Sequence, residues 1–279
     1  MGQTVSAGGC NGNTALCSRQ YSNVTQIGAH DSAFVGILPT DNQVKSVADQ
    51  LDAGVRFLQA QTHENSGELH LCHTSCLELN AGPLTDYLST IKTWMDKNKN
   101  EVVTLLLTNG DRVNVSTFGS AMSSTGLDKY AYVPPKKLSM DEWPTLQELI
   151  DDGKRLVMFL DYLADTSKVD YILDEFSYFF ETAYDVTNFT SCALDRPPGS
   201  KGDGLMMIVN HFKDIDILGI DIPDVMHDMS TNAATGSGSI GEQADLCINT
   251  WKRSPNFILL DNFNIGDAFT AQNNLNHLS

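Results

Sequence analysis

The amino-acid sequence predicts an α/β fold, a (β/α) barrel of the TIM type, that occupies residues 1–279 as a single domain. Short apolar runs bounded by turn residues recur along the chain, as buried strands do. Segments with helical periodicity lie between several of these runs, and such alternation indicates a parallel sheet covered on both faces. The length of 279 residues is also one that a single barrel commonly uses.

Each predicted strand is an apolar run, and each predicted helix repeats its apolar residues every three or four positions. The strands, in chain order, are Val24–Ala29, Val55–Ala60, Leu69–Cys72, Val102–Leu107, Leu156–Leu160, Leu205–Val209 and Phe257–Leu260, with a weaker one near Glu181–Asp185. The helices are Val47–Ala53, Leu84–Lys97, Leu146–Asp152, Val169–Phe176 and Glu242–Lys252. Seven or eight parallel strands favour a barrel, whether regular, distorted or incompletely closed, over an open sheet.

The main rival is a doubly wound fold, which normally has a glycine-rich turn after its first strand. Here the first strand runs into Gly28-Ala29-His30-Asp31-Ser32 instead. The stretch Ser230–Gly241 is rich in small residues and is interpreted as a surface loop, either a solvated linker or a segment that overhangs the barrel mouth.

The charge and hydropathy of the chain exclude several classes of partner. The formal net charge is −17, which repels nucleic acid and strongly anionic membranes. No apolar run approaches the roughly 20 residues needed to span a bilayer. We expect a soluble protein that does not bind nucleic acid.

The six cysteines favour disulfides and export. Two pairs are close in sequence, Cys10 with Cys17 and Cys72 with Cys76, and neither has the C-x-x-C spacing of zinc sites. Six cysteines allow fifteen connectivities in all. Glycosylation triplets begin at Asn23, Asn114 and Asn188. Residues 1–7 have neither a basic stretch nor an apolar core, so we expect that any signal peptide has been removed.

Polar residues that interrupt an apolar strand at its end are the candidates for chemistry, because strand ends converge on one pocket in such a barrel. His30 and Asp31 end the first strand, His73 ends the third, and Asp261 ends the last. Each alone has an ordinary explanation as a hydrogen-bonded core residue or a turn former. Their shared position at strand ends favours a common site.

Strand alternation assigns further residues to the lumen or to the outer face. Gln59 and Gln61 share the lumen face of the second strand, whereas Arg56 lies on the other face and is predicted to be structural. His73 is expected to point inward, and Asn109 shares a face with the apolar residues before it. Three other candidates end the fifth and seventh strands, and each either contacts the substrate or forms a turn or cap: Asp161, Asn210 and His211.

The sequence resembles the PLC-like phosphodiesterases of the phosphatidylinositol-specific phospholipase C X-domain type, within their secreted fungal-type branch. The resemblance spans the chain from the first strand to the last. Its segments are Ile27-Gly-Ala-His-Asp-Ser-Ala, Gln50-Leu-Asp-Ala-Gly-Val-Arg-Phe-Leu-Gln, Leu69-His-Leu-Cys-His-Thr-Ser-Cys, Asn100-Glu-Val-Val-Thr-Leu-Leu-Leu-Thr-Asn, Trp143-Pro-Thr-Leu, Arg155-Leu-Val-Met-Phe-Leu-Asp, Val209-Asn-His-Phe and Pro255-Asn-Phe-Ile-Leu-Leu-Asp.

The resemblance implies a role for each catalytic candidate. His30 would be the general base, with Asp261 orienting it, and His73 the general acid, paired with Asp31. Imidazole suits both tasks near neutral pH. The resemblance also agrees with a third disulfide between Cys192 and Cys247, the two cysteines left by the local pairs.

The chain departs from the family at the second strand, where bacterial members carry a phosphate-binding arginine and calcium-dependent members carry acidic ligands. The neutral Gln59 and Gln61 stand there instead. Negative charge must still be stabilised in the transition state. The candidates are a calcium ion, which would be a cofactor, or a loop cation. A calcium ion would be held by Asp31, Asn109 or Asp111, and the loop cations are Arg112 and Arg196.

The function expected from sequence is a secreted phosphoric diester hydrolase of the phospholipase C type, acting on a phospholipid head group through an open or cyclic phosphate. Its partners would be the phospholipid and, transiently, a membrane or micelle surface, and the protein would be a monomer. Two alternatives stay open. One is a metal-dependent phosphodiesterase acting on lysophospholipids, sphingolipids or glycerophosphodiesters, and the other is a barrel that binds lipid or head groups and catalyses little.

Overall fold

The computed structural model describes residues 8–184, 186–217 and 220–278. The expectation for the first seven residues therefore lies outside the described residues. The strands are β1 (Gln26–Ala29), β2 (Phe57–Asn65), β3 (Glu68–His73), β4 (Leu79–Pro83), β5 (Val103–Asn109), β6 (Leu156–Leu160), β7 (Ile172–Asp174), β8 (Phe179–Thr182), β9 (Leu194–Arg196), β10 (Met206–Asn210), β11 (Asp214–Ile217), β12 (Ile220–Pro223) and β13 (Phe257–Leu260). The helices are α1 (Val47–Ala53), α2 (Leu84–Lys97), α3 (Val115–Thr125), α4 (Leu146–Asp151), α5 (Asp228–Thr231), α6 (Ile240–Trp251) and α7 (Ala268–Leu275).

Eight parallel strands form a curled sheet in the order β7-β6-β5-β2-β1-β13-β10-β8. From β1 the neighbours on one side are β2, β5, β6 and β7, and those on the other side are β13, β10 and β8, so the strands follow one another around a barrel in chain order. Within the described strands β7 and β8 are not paired with each other, and the short β9 runs antiparallel along the outer edge of β8. The prediction of a (β/α) barrel is confirmed, in its incompletely closed form.

Side chains alternate along the barrel strands between two buried clusters. Residues such as Phe57, Phe159 and Phe257 fill the lumen, whereas their chain neighbours Leu58 and Leu160 pack outward against the helices. The alternation follows from the two-residue period of a strand that is buried on both faces.

The N-terminal segment packs against the lumen cluster near the beginnings of the strands. Tyr21 is fully buried and packs against Trp143 with ring centroids 4.7 Å apart, and its hydroxyl lies 2.8 Å from Oγ1 of Thr104 in β5. This packing fills the lower part of the lumen, so its polar residues lie toward the carboxyl ends of the strands.

Three of the helices begin at a serine or threonine cap. Ser46, Thr145 and Ser239 each accept a hydrogen bond from the backbone N–H three residues later, at the beginnings of α1, α4 and α6. In each case that later residue is Asp or Glu, which is the sequence pattern typical of a helix N-terminus.

The third predicted strand exists, but its place in the barrel was predicted incorrectly. Strand β2 continues to Asn65, a turn at Ser66 and Gly67 with positive φ reverses the chain, and β3 returns antiparallel to β2. Strand β4 then pairs with β3. The three strands form a projection at the carboxyl end of β2, and β3 takes no place in the parallel barrel.

The predicted helix Val169–Phe176 is wrong. This segment contains β7 and a short 3₁₀ turn, and β7 pairs with β6. Ile172 lies in the outer cluster and Leu173 in the lumen cluster, so consecutive residues face opposite ways. A strand provides this arrangement and a helix does not.

Three helices, α3, α5 and α7, were not predicted, and the weak strand near Glu181 is the barrel strand β8, with Asp185 outside the described residues. The Ser230–Gly241 stretch is tied to the end of the barrel, because Nδ2 of Asn232 donates to the backbone carbonyl oxygens of Asp261 and Asn262.

The three expected disulfides, Cys10–Cys17, Cys72–Cys76 and Cys192–Cys247, are all present. Arg56 is structural as predicted, because its guanidinium pairs with Glu101 at 2.8 Å and donates to two backbone carbonyls. None of the described helices is long and apolar enough to cross a bilayer.

Candidate active site

His30 lies directly after β1, and its ring is held by Asp261 and Phe212. Nδ1 is 2.9 Å from Oδ1 of Asp261, which follows β13, so the ring donates a hydrogen bond there. Phe212, just beyond β10, stacks on the imidazole with ring centroids 3.7 Å apart. Because β1 pairs with β13 and β13 with β10, neighbouring strands bring these three side chains together.

Asp31 places a fully buried carboxylate between the two candidate histidines. Its Oδ2 lies 3.5 Å from Nε2 of His30 and 3.6 Å from Nε2 of His73. The residue adopts a φ of +43°, a conformation that non-glycine residues seldom take and that costs energy. Its backbone N–H donates to Oε1 of Gln59, which supports this turn of the chain.

His73 reaches the site from the β2–β3–β4 projection. Its ring meets the edge of Phe34 at 5.2 Å, and the Cys72–Cys76 disulfide encloses it in a five-residue loop. His73 and His30 thus both approach Asp31, although the barrel-strand alternation used to orient His73 does not apply to a hairpin strand.

Gln61 joins the projection to Asp31. Its Nε2 donates to Oδ2 of Asp31 at 2.8 Å, and its Oε1 accepts from the backbone N–H of Thr74 at 3.1 Å. The amide of Gln61 therefore holds the loop after His73 and the shared carboxylate in one hydrogen-bonded unit.

The carboxylates around His30 strongly favour its protonated form. Burial of the ring alone would lower its pKa, but the charges of Asp261 and Asp31, with the hydrogen bond to Asp261, raise the pKa of His30 to about 9. An imidazolium at neutral pH thus supplies positive charge in a site where Gln59 and Gln61 bring none.

A cavity of about 340 Å³ opens beside His30. Its polar lining comes from several strand ends, which is where a barrel of this kind builds its sites. The side chains are His30, Gln59, Gln61, Thr108, Asp161, Tyr162, Glu175, Glu181, Tyr184, Arg196 and Asn210. Of the expected substrate contacts, Gln59, Gln61, Asp161 and Asn210 thus line this cavity.

The far wall of the cavity is acidic with one arginine. Arg196 forms an ion pair with Glu181, and Nδ2 of Asn210 donates to Oε2 of Glu181 at 3.1 Å. Burial raises the pKa of Asp161 to about 6. Burial and the neighbouring Glu181 carboxylate also raise the pKa of Glu175 well above its usual range.

Sequence reasoning missed both glutamates and proposed Arg196 only as a loop cation. Glu181 lies two residues after Phe179 on β8, so the alternation that places Gln59 in the lumen also places Glu181 there. The alternation that would have placed Glu181 in the lumen is present in the sequence. The predicted strand began at Glu181 instead of Phe179, so it did not include the apolar residues that define this alternation.

Asn109 and His211 lie apart from this cavity, contrary to expectation. The Asn109 side chain donates to the carbonyls of Val113 and Tyr162, because its parity places it on the outer face. His211 is fully buried and hydrogen-bonded to Gln243 and to the carbonyl of Thr231. Burial lowers its pKa to about 4, so it stays neutral.

The residues present do not fit a shared calcium site. Asp31 is engaged by Gln61 and the two imidazoles, and Asp111 bonds to His63 and to the backbone N–H of Glu64. Asn109 faces backbone carbonyls, so these three side chains do not converge. In the part of the chain that the structure describes, no group of three or more His, Cys, Asp or Glu side chains forms a metal cluster.

The fold is that of the phosphatidylinositol-specific phospholipase C barrels. The enzyme of that name from Listeria monocytogenes superposes with a TM-score of 0.59 at 17% identity, over 94% of this chain and 96% of that one. A single-residue mutant of the Staphylococcus aureus enzyme gives 0.61 at 11% identity, over 94% of each chain. At these identities the likeness shows the fold alone.

The sequence comparisons identify the family. A family model described as PI-PLC X 1 matches residues 16–276, and the chain belongs to the PI-PLC X family. The PI-PLC X domain-containing protein 1 of Arthroderma benhamiae is 49% identical over 273 residues, which cover 96% of this chain and 90% of that protein. A protein of the same organism described as an uncharacterized secreted protein is 42% identical over 93% of this chain and 61% of its own length. The family resemblance seen in the motifs is confirmed.

Proposed function

We propose that the protein is a secreted phosphodiesterase of the phospholipase C type, in which His30 and His73 act on opposite sides of one phosphate. The observation that carries the proposal is the position of Asp31. Its Oδ2 lies within 3.6 Å of Nε2 in both rings, so the two nitrogens are no more than about 7 Å apart. Two imidazoles at that separation bracket a single phosphoryl group.

In this proposal the two histidines move protons during an in-line displacement at phosphorus. The neutral form of His30, a minority at neutral pH that grows as the pH approaches about 9, takes the proton from the attacking hydroxyl, and Asp261 keeps the ring oriented and stabilises the imidazolium that forms. His73 donates a proton to the leaving oxygen, and Asp31 holds both rings toward the shared space. The attacking hydroxyl comes from the head group, which gives a cyclic phosphate, or from water, which gives an open one.

The acidic wall favours a head group that carries hydroxyls. Asp161 and Glu181 offer acceptors, and Arg196 and Asn210 offer donors, within the cavity that His30 also lines. Alternating donors and acceptors suit a polyol, since every hydroxyl both donates and accepts. Gln59 and Gln61 stay in the proposal as neutral contacts to the phosphate end.

The experiment is a panel of phospholipid and water-soluble phosphodiester substrates, with phosphorus NMR of the products. We expect His30→Asn and His73→Asn each to lower kcat by about 10²-fold or more, since positioned general acids and bases contribute that much. His70→Asn is the matched control, because His70 lies on the same strand as His73 and faces Asn80 outside the cavity.

A second arm repeats the panel with a chelator. Because Asp31, Asn109 and Asp111 do not converge on one point, we expect activity to persist without divalent ions. Loss of activity with EDTA and its return with calcium would instead favour the metal-dependent alternative. Head-group binding with no turnover of any substrate would favour the barrel that binds and catalyses little.

We also propose that the protein is glycosylated, secreted and monomeric. The three acceptor residues Asn23, Asn114 and Asn188 are all exposed, and all six cysteines are paired in disulfides. These features suit an exported protein, and one relative is described as secreted. A fall in mass after enzymatic deglycosylation of the secreted protein tests the first two statements, and sedimentation tests the third.

A further inference from the structure

The connection between β1 and α1 turns back onto the candidate active site. The two ends of this turn meet, because the backbone N–H of Gln43 donates to the carbonyl of Phe34 at 3.0 Å and the N–H of Gly36 donates to the carbonyl of Gln43 at 2.9 Å. Phe34 is also the residue whose ring contacts His73. The return brings two buried amide side chains, Asn42 and Gln43, to the carboxyl end of β1.

The Asn42 side chain contacts the pair formed by His30 and Asp261. Its Nδ2 donates to Oδ1 of Asp261 at 3.1 Å, and the same nitrogen lies 3.4 Å from Nδ1 of His30. Oδ1 of Asp261 therefore accepts from two donors, since Nδ1 of His30 is 2.9 Å away. The backbone carbonyl of Asn42 accepts from the N–H of Asn262 at 2.8 Å, so the connection is tied to the chain directly after Asp261.

Two donors on one oxygen of Asp261 weaken the hold of that carboxylate on the His30 proton. A hydrogen bond from a neutral amide stabilises an ionised carboxylate whether or not the imidazole is protonated. It also disperses negative charge that would otherwise act on the imidazolium, so the carboxylate favours the charged ring less strongly. Asn42 therefore opposes the effect of Asp261 on His30 while it holds Asp261 in position.

The other titratable groups around the pair act in the opposite direction. They are carboxylates from several parts of the fold, and their negative charge favours the imidazolium. Asp31 and Asp214 face His30, with His73 on the other side of Asp31, and Asp228 faces Asp261. Asp41, the chain neighbour of Asn42, is bound within its own connection, where its Oδ2 accepts from the backbone N–H of Leu38.

We propose that Asn42 is a positioning residue, which fixes Asp261 beside His30 and limits how tightly this pair binds its proton. The proposal rests on the proposed function in one respect, that the neutral ring of His30 is the general base. A base that releases its proton more readily has a larger neutral fraction at a given pH, and Asn42 thereby increases the fraction of protein ready to react.

The test is an NMR titration of the His30 ring in Asn42→Leu and Asn42→Ala. Two replacements are used because leucine is bulkier than asparagine, whereas alanine leaves space. We expect the His30 midpoint to rise by about half a pH unit or more in each, since each removes a hydrogen bond to a charged group. Below the midpoint kcat/KM should then fall about threefold or more, in step with the neutral fraction, and above it kcat/KM should recover.

Gln43→Met is the matched control. Gln43 is the chain neighbour of Asn42 and is equally buried, but its Nε2 donates to the backbone carbonyls of His30 and Leu260 at 2.8 and 2.9 Å. It supports the backbone and does not contact the carboxylate of Asp261 through a hydrogen bond. We expect Gln43→Met to leave the His30 midpoint unchanged, and any change in kcat/KM to be the same at every pH.

The two kinds of measurement separate this proposal from the proposed function. The titration is made on the free protein and needs no turnover, whereas full activity of His30→Asn would overturn the proposed function alone. A His30 midpoint that is unchanged or lower in both Asn42 variants overturns the proposal. So does an equal rise in Gln43→Met, or a loss of kcat/KM in the Asn42 variants that is the same at every pH, since Asn42 would then serve the scaffold only.

Discussion

Replacing His30 by asparagine should change the way stability depends on pH. The folded protein holds the His30 proton more tightly than the unfolded chain, because Asp261 and Asp31 raise its pKa from 6.5 to about 9. A raised pKa contributes stability that is fully present below the unfolded value of 6.5 and is lost as the pH rises through about 9. The difference corresponds to about 3 kcal/mol of unfolding free energy.

The assay is urea unfolding of both proteins at a pH below 6.5 and at a pH above 9. The variant loses the ring at every pH, so the constant cost of that loss cancels in the comparison. The stability difference between the two proteins should be about 3 kcal/mol smaller above pH 9 than below pH 6.5. His227→Asn is the matched control, because the side chain of His227 is 61% exposed and lies on the surface.

A stability difference that stays constant across this range would refute the electrostatic reasoning. It would mean that the two carboxylates do not favour the imidazolium, and that the positive charge we assign to His30 is absent at neutral pH. An NMR titration of the His30 ring gives an independent check, with a midpoint expected near 9. The same proton should govern catalysis, because a general base with that pKa makes kcat/KM rise with pH up to about 9.

Two further predictions concern the scaffold. Replacing both Cys192 and Cys247 by serine opens a bridge with a sequence separation of 55 and should lower the free energy of unfolding by about 4 kcal/mol, measured by chemical unfolding. A thermal midpoint equal to that of the unchanged protein would contradict this. Arg56→Ala should cost about 3 kcal/mol or more by leaving the Glu101 carboxylate buried without its partner, whereas the double replacement of Arg56 and Glu101 by apolar residues should recover most of that loss.

The sequence predicted the barrel, and the positions of His30 and Asp261 at strand ends, for physical reasons that hold locally. Apolar runs with a polar residue at the end, as at His30 and Asp261, reflect strands that are buried on both faces and open into a polar mouth. Alternation correctly separated Gln59, which lines the cavity, from Arg56, which supports the scaffold.

The errors arose where tertiary pairing overrides local pattern. The β3 segment has the composition of a barrel strand, and only the turn at Ser66 and Gly67 makes it a hairpin strand. The β7 segment repeats its apolar residues at helical spacing. It forms a strand because it pairs with β6 and buries side chains on both of its faces. The role of Glu181 depends on the ion pair with Arg196, a partner that sequence alone does not place nearby.

The two proposed catalytic histidines lie on different parts of the fold. His30 directly follows a central barrel strand, whereas His73 lies at the end of a hairpin strand, and the loop after it is held by the Cys72–Cys76 disulfide and the amide of Gln61. Such a peripheral unit can open while the ring of strands stays intact, because local stability need not equal global stability. A reductant that cleaves Cys72–Cys76 would therefore abolish the proposed chemistry well before it unfolds the molecule.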